Sequence, residues 1–245
     1  MGFTKIWADV LDLYRLEQSF GTSPTVSDQS HLLVSGIISD TVTDVAEVAL
    51  SLESGSLDRI VDCFKLIQAT HSAGEPYPHS TSQNWKEAWL RTIYTEVLWD
   101  SNIPRHATGL DIENLGARVA AQYPDFFGPQ SAVDSSSTRD VLEFEDVHFS
   151  YMKITINAMT CGTRLFLTSK HYLEFENKDI APGDQIAILS NAHTPLLLRT
   201  TNTSEATRNS SQTRYRVVSD CYVHGIMDGE ATPREENPSS TIEIV

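Results

Sequence analysis

Apolar residues recur at two different spacings along this chain, and the spacing changes near residue 160. In "FTKIWADVLDLYRLEQSF", Phe3, Ile6, Trp7, Val10 and Tyr14 fall three and four apart. That spacing predicts an amphipathic helix with Asp9, Asp12 and Arg15 turned to water. The short β-branched run "HLLVSGIISDTV" predicts a strand. "SLDRIVDCFKLIQA" returns to helical spacing through Leu57, Ile60, Val61, Phe64 and Ile67. "NWKEAWLRTIYTEVLW" predicts the clearest helix of all: Asn84 followed by Glu87 has the form of a capping box, and Trp85, Trp89, Ile93 and Val97 make a stripe. A shorter helix follows in "DIENLGARVAAQY", opened by Asp111. "GPQSAVDSSSTRD" is too poor in apolar residues to pack and reads as a loop. "FEDVHFSYMKITINAM" resumes the helical pattern through Phe144, Val147, Tyr151, Ile154 and Ala158.

Beyond that point the period shortens. "TRLFLTS", "YLEFE", "DQIAILS", "PLLLRTT" and "YRVVSDCYVH" are strand-like runs separated by "NKDIAPGD", "NAHT" and the polar loop "NTSEATRNSSQT". A succession of short strands predicts an antiparallel sheet curled into a small barrel. The expected fold class is therefore α+β, a helical N-terminal part packed on a small antiparallel β-barrel-like C-terminal part. The expected boundaries are 1–160 for the mainly helical part with one or two short strands, 161–232 for the barrel, and 233–245 for a flexible tail whose "PREENPSSTIEIV" is polar almost to its last residues.

Composition narrows the function classes. Of 245 residues, 40% are hydrophobic and 21% charged, as in an ordinary globular protein. No apolar run approaches the ~20 residues a membrane-spanning helix needs, and the N-terminus, with acids inside its apolar pattern, does not read as a secretory signal. The formal net charge of −15 repels a phosphate backbone, so no nucleic acid is expected as a partner. Neither a Walker-type loop nor G-x-G-x-x-G is present, so no nucleotide cofactor is announced. Cys63, Cys161 and Cys221 are odd in number and far apart, which suits neither a zinc ribbon nor a disulfide framework and points to a reducing, cytoplasmic setting.

Two stretches carry a family likeness. "RLFLTSKHYLEFENKDIAPGDQIAILSNAHTPLLLRT", followed by "YRVVSDCYVHGIMDGEA", resembles the C-terminal region of the fungal heterokaryon-incompatibility (HET) proteins. Those proteins show a Gly-Tyr turn, a "GD" before an apolar strand, a "P-x-x-L-R" and a closing Cys-Tyr-Val-His-Gly-x-Met-Asp-Gly-Glu. The run from Cys221 to Glu230 matches that ending almost throughout, and "LLVSGIISDTV" and "EAWLRTI" are weaker echoes upstream. The resemblance spans roughly residues 30 to 232. The family's N-terminal HET domain, its presumed effector, has no counterpart here, so the resemblance implies the accessory half of such a protein without its effector.

The candidate chemistry lies where the chain departs from the family pattern. His171 stands where the family's first turn has Gly, and His193 in "NAHTP" stands where the family is Gly- or Asp-rich. With His224 of the closing motif, these histidines would share the barrel. An imidazole exchanges a proton near neutral pH without a cofactor, its unperturbed pKa being ~6.5. Tyr172 and Tyr222 would offer a donor to a developing oxyanion. The competing reading makes His171 and His193 exposed turn residues. The histidines lack the i,i+2 or i,i+4 spacing of a zinc site, so no metal is expected. Asp228 and Glu230 read as caps for neighbouring amides. Tyr94, Leu98 and Trp99 lie off the Trp85–Trp89–Ile93 stripe, and a helix apolar on more than one face is either deeply buried or lines a pocket.

Two functions follow. One is a cofactor-independent cyclase or isomerase acting on a small hydrophobic, aromatic or polyketide-like metabolite, with His171, His193, His224 and Tyr222 as catalytic candidates and Tyr172, Tyr94, Trp99 and Leu98 as substrate-binding ones. The other is a non-catalytic interaction or regulatory module of the HET family with a protein partner.

Overall fold

The computed structural model describes residues 23–27, 31–47, 58–93, 95–100, 103–122, 156, 160–177, 179–201, 213–231 and 238–245. The helices expected over 3–14 and 144–158 lie outside those residues, apart from Ile156, which is buried. The chain divides into two compact units, one within Met1–Leu13 and Val48–Thr163, the other within Tyr14–Glu47 and Arg164–Val245.

The second unit is built on a single nine-stranded sheet. Its strands are β1 (Thr25–Val26), β2 (Leu32–Val45), β5 (Thr163–Thr168), β6 (Leu173–Asn177), β7 (Gln185–Leu189), β8 (Leu196–Thr200), β9 (Arg214–Asp220), β10 (Tyr222–Val223) and β11 (Ser240–Ile244). The order is β10-β6-β5-β2-β11-β9-β8-β7, with β1 beside β2. β2 is 14 residues long and serves three neighbours in turn. Leu32–Gly36 pairs with β11, Gly36–Thr41 with β7, and Val42–Val45 with β5, all antiparallel. Because β7 returns to β2, the path β2-β11-β9-β8-β7 closes on itself, and only β11–β9 within it is parallel. Closure removes the free edges that an open sheet of these strands would expose.

β2 makes its corner by packing and by a bulge. The register slips between Ile38 and Asp40, adding one residue, and a bulge of this kind bends the strand. Gly36 sits where β2 passes from β11 to β7, opposite both Ser240 and Leu189. A Cβ there would stand 2.7 Å from Ile242 Cδ1 and Leu189 Cδ2 and 3.0 Å from the Ile188 carbonyl oxygen. Only a residue without a side chain fits the crossing.

Two apolar clusters occupy opposite faces of these strands. Ile186 and Ile188 of β7 join Ile37, Val42, Phe166, Ile180, Leu197, Cys221, Val223 and Ile226. Ala187 and Leu189 of the same strand join Val34, Leu198 and Ile242. A strand buried on both sides reads as a continuous apolar run, which is why "QIAIL" and "LLL" lack alternation.

The first unit carries the helices α1 (Asp58–Gln68), α2 (Trp85–Ile93) and α3 (Gly109–Gln122) with the hairpin β3 (Val97–Asp100) and β4 (Ile103–His106). The Glu87 amide donates to Asn84 Oδ1 at 2.9 Å, the N-cap bond the sequence predicts. Trp85, Trp89 and Ile93 are each at most 1% exposed, and Trp89 meets Phe64 of α1 with ring centroids 4.9 Å apart. Helical spacing runs on to residue 99, but α2 stops at Ile93. Thr95 and Glu96 adopt φ of 50° and 55°, and the chain turns into β3 instead. Among the described residues no helix is long and apolar enough to cross a membrane.

These findings correct the expected fold class. Among the described residues strand outweighs helix, 40% to 21%, and the dominant element is a large sheet rather than a helical N-terminal part packed on a small barrel. The physical reason is non-local pairing. β2, from the N-terminal half, lies inside the sheet between β5 and β11, and residues 240–244 supply β11.

Candidate functional site

The closing motif is a buried strand followed by a glycine-framed turn. The Cys221 amide donates to the Pro195 carbonyl at 3.0 Å, fixing the end of β9 to the start of β8. Tyr222 pairs with Phe175 and Val223 with Glu174 of β6, and the His224 amide donates to the Leu173 carbonyl at 3.2 Å. These bonds bury Tyr222 to 1%, Val223 to 0% and His224 to 3% exposure. The Tyr222 hydroxyl lies 3.2 Å from His224 Nδ1, and their ring centroids are 6.5 Å apart. Glu174, opposite Val223, is fully buried. A carboxyl at that depth, an imidazole and a phenol are therefore carried on two paired strands, β6 and β10, and the segment that follows β10.

Past His224 the backbone needs glycine. Gly225 and Gly229 adopt φ of 98° and 88°, a region a side chain disfavours. Ile226 and Met227 between them are buried, while Asp228 and Glu230 are exposed. The Glu230 carboxylate accepts from the Asp228 amide at 2.9 Å, so it ties the turn to itself.

The other two family motifs meet each other. Asp184 of "GD" is 1% exposed, and Arg199 of "P-x-x-L-R" donates to it through Nε to Oδ1 and Nη2 to Oδ2, each at 2.6 Å. Arg199 Nη2 also donates to the Asp179 carbonyl at 2.7 Å, and Asp184 Oδ2 accepts from the Ala181 amide at 2.8 Å. The paired Asp184 carboxylate outweighs the effect of partial burial and holds the Arg199 guanidinium above its ordinary value.

His171 and His193 occupy exposed turns. His171 adopts φ of 67° between β5 and β6, where the resemblance places Gly. The turn is held from below by Asp40 of β2, which is 5% exposed and accepts from the Ser169 hydroxyl and, at 2.9 Å, from the Lys170 amide. Lys170 Nζ donates to the Ser39 carbonyl at 2.5 Å. Tyr172 is half-buried against the larger cluster, and its amide donates to Thr168 Oγ1 at 2.9 Å. His193 lies between β7 and β8, two residues after Asn191 at φ of 62°.

Leu98, Trp99 and Tyr94 belong to the first unit. Leu98 is 6% exposed on β3, Trp99 stands opposite Pro104 in the hairpin, and Tyr94 lies outside the described residues. Of the expected site residues, the structure brings Tyr222 and His224 into contact. Glu174, Asp40 and the Asp184–Arg199 pair escaped the sequence reading as polar groups of the sheet interior. "GD" and "LR" were visible as motif fragments, but nothing in either announces that they pair.

The first unit holds a cleft of about 440 Å³ between α2 and α3, lined by Lys86, Glu87, Leu90, Ile112, Glu113 and Ala117 among others. Among the described residues no group of His, Cys, Asp and Glu side chains has the arrangement of a metal site. Cys63, Cys161 and Cys221 are free thiols.

Comparison with known families gives a match to the Het-6 beta-barrel domain over residues 118–240. No curated protein and no solved structure matches the chain. The matched stretch runs from α3 to the first residue of β11 and contains every strand from β5 to β10, whereas β2, which completes the closed ring, precedes it. Half the chain lies within the match, and its closing motif forms the buried end of the sheet; this protein belongs to the Het-6 β-barrel domain family.

Proposed function

We propose that the protein is a non-catalytic interaction module of the HET family that engages a protein partner, in a cytoplasmic setting. One observation carries the reading: the polar residues of the family motifs are engaged in holding strands and turns together. Asp184 clamps Arg199, Asp40 anchors the turn after β5, and Glu230 closes the turn after β10. His171 and His193, the residues that depart from the family pattern, stand exposed on turns, where a partner can read them. The net charge of −15 favours a basic partner surface and speeds encounter with it.

The test is affinity capture from host extract with three versions of the full chain: the natural sequence, His171→Glu/His193→Glu, and His224→Phe. The module reading expects a saturable protein partner retained by His224→Phe and lost by the turn variant. Failure to find any saturable partner, together with an altered small-molecule profile on gene deletion, overturns it.

A second reading is favoured by the buried Tyr222–His224 pair. It makes the protein a cofactor-independent cyclase or isomerase for a small hydrophobic, aromatic or polyketide-like metabolite. His224 would move the proton and Tyr222 would hold its ring and donate to the developing oxyanion, with His171, His193 and Tyr172 at the barrel's turns. Its test is the extract of a deletion strain complemented with Tyr222→Phe. An unchanged profile on deletion rules it out.

A further inference from the structure

β11 lies in a slot whose two walls come from distant parts of the chain. One wall is the first part of β2, met in antiparallel register from Ser240↔Gly36 to Ile244↔Leu32. The other is β9, met in parallel at Arg214 and Tyr215. The Val245 amide donates to the Tyr215 carbonyl at 2.8 Å and extends that wall by one residue. Among the described strands β2 and β9 are joined only through β11, so the slot without its strand is a gap in the ring with two strand margins facing each other.

Alternation along the strand gives the slot two separate readings of sequence. On one face Ile242 is 2% exposed and packs with Val34, Ala187, Leu189 and Leu198. Its Cδ1 takes the space that a Cβ on Gly36 would need. Ile244 and Tyr215 pack against the same cluster. On the other face Glu243 is 7% exposed and meets two basic side chains at one oxygen: His31 Nδ1 lies 2.6 Å from Oε1, and Arg214 Nε makes an ion pair with it at 3.0 Å. His31 is fixed in turn, its amide donating to Ser27 Oγ at 3.1 Å and its carbonyl accepting from the Ser27 amide at 2.8 Å. The slot therefore selects an extended apolar–acidic–apolar triplet, with an apolar side chain over Gly36 and a carboxylate between His31 and Arg214.

The residues before β11, "TPREENPS" at 232–239, carry none of the large apolar side chains that the cluster takes, so recognition rests in β11 and Val245. Fully extended, a connection of that length spans at most about 28 Å, enough to carry the strand to a neighbouring molecule. We propose that β11 exchanges between copies of this chain, the strand of each copy occupying the β2–β9 slot of the other in a two-fold symmetric dimer. The exchanged form keeps the slot contacts of the closed chain, so the balance turns on the entropy of association, which rising protein concentration offsets. This assembly is a property of the sheet and does not depend on the partner read at His171 and His193.

Ser35 of β2 stands opposite Thr241 of β11, which supplies the test. Full chains carrying Ser35→Cys and Thr241→Cys are mixed, unfolded together in urea, refolded over a range of protein concentrations and gently oxidised. Neither variant can make the 35–241 disulfide within itself, so that bond, mapped by mass spectrometry, reports a strand seated in another copy's slot. The expected result is a 35–241 cross-link whose yield rises with concentration. An excess of the peptide PSSTIEIV, residues 238–245, should suppress it, and the same peptide with Glu243→Lys should need at least about tenfold more to do so. Absence of the cross-link at every concentration overturns the proposal and leaves the slot to the chain's own strand. So does a cross-link that the two peptides suppress equally or not at all, since that would be edge contact without recognition of the acid.

Discussion

Arg199 reaches from β8 to the turn before β7 and closes both Nε and Nη2 on the carboxylate of Asp184, at 2.6 Å each. The acid's side chain is 2% exposed and the arginine's 29%, so one partner is sunk and the other bridges to water. This geometry accounts for the "GD" and "P-x-x-L-R" fragments lying in one stretch of chain: each is half of a clamp across neighbouring strands.

Removing the cation should therefore cost more than an ordinary surface pair. Arg199→Met leaves a buried carboxylate without its charge partner and is expected to lower stability by about 3 kcal/mol. Asp184→Asn/Arg199→Met should recover part of the loss. Chemical denaturation of the single and double variants measures both, and additive losses would contradict the coupling.

Asp111 predicts an acid-sensitive helix. Burial alone would raise its pKa, but bonds from Arg105, at 2.8 and 3.1 Å, and from the Thr108 hydroxyl and amide, at 2.6 and 2.7 Å, outweigh burial and hold it at about 2. Asp111 returns the bond, its own amide donating to Thr108 Oγ1 at 3.3 Å, so the two close the start of α3 reciprocally. A carboxyl depressed in the folded state contributes stability that is complete above its unfolded value near 4 and fades as pH falls toward 2. Asp111→Asn should cost about 1 kcal/mol at pH 7, after allowance for solvent screening, and progressively less as pH falls from about 4 through 2. Thermal melts of the two proteins across that range should converge in acid.

The turn after β5 makes a prediction of sign. With φ of 67° at His171, His171→Gly should raise the melting temperature, and His171→Val should lower stability by about 1–2 kcal/mol. Comparable melts for all three residues would mean that the left-handed conformation is not held in solution.

Gly36 leaves no room for a Cβ without movement of its neighbours. Gly36→Ala should cost about 1–3 kcal/mol, because two side chains must retreat and the Ile188 carbonyl cannot. Hydrogen exchange should show the amides of β11 losing protection before those of β8.

How much of this was legible follows from the range of the interactions. β5 to β8 announced themselves because apolar runs and turn residues alternate locally, and α2 did so through Asn84, Glu87 and the Trp85–Trp89–Ile93 stripe. β3 hid because Val97 continues the helical stripe, while the break depends on the backbone at Thr95 and Glu96. The fold class failed on β2. Its apolar run predicts a strand, but no local pattern says that one strand will pair with β11, β7 and β5 in succession. β11 was hidden by length, since Ile242 and Ile244 with Glu243 between them make too short an alternation to stand out from "PREENPSS". In the candidate site, the contact of Tyr222 with His224 follows from their i,i+2 spacing on an extended chain, whereas the depth of Glu174 depends on which strand lies opposite.

β11 also has a bearing on biosynthesis. The segment that joins β2 to β9 is made last of the three, after both of its neighbours have been synthesised. Until Ile244 emerges, the nascent chain carries two unsatisfied strand margins, and Val34 has no Ile242 to cover it. Deletion of residues 240–244 should therefore yield protein prone to self-association even though every other described strand is present.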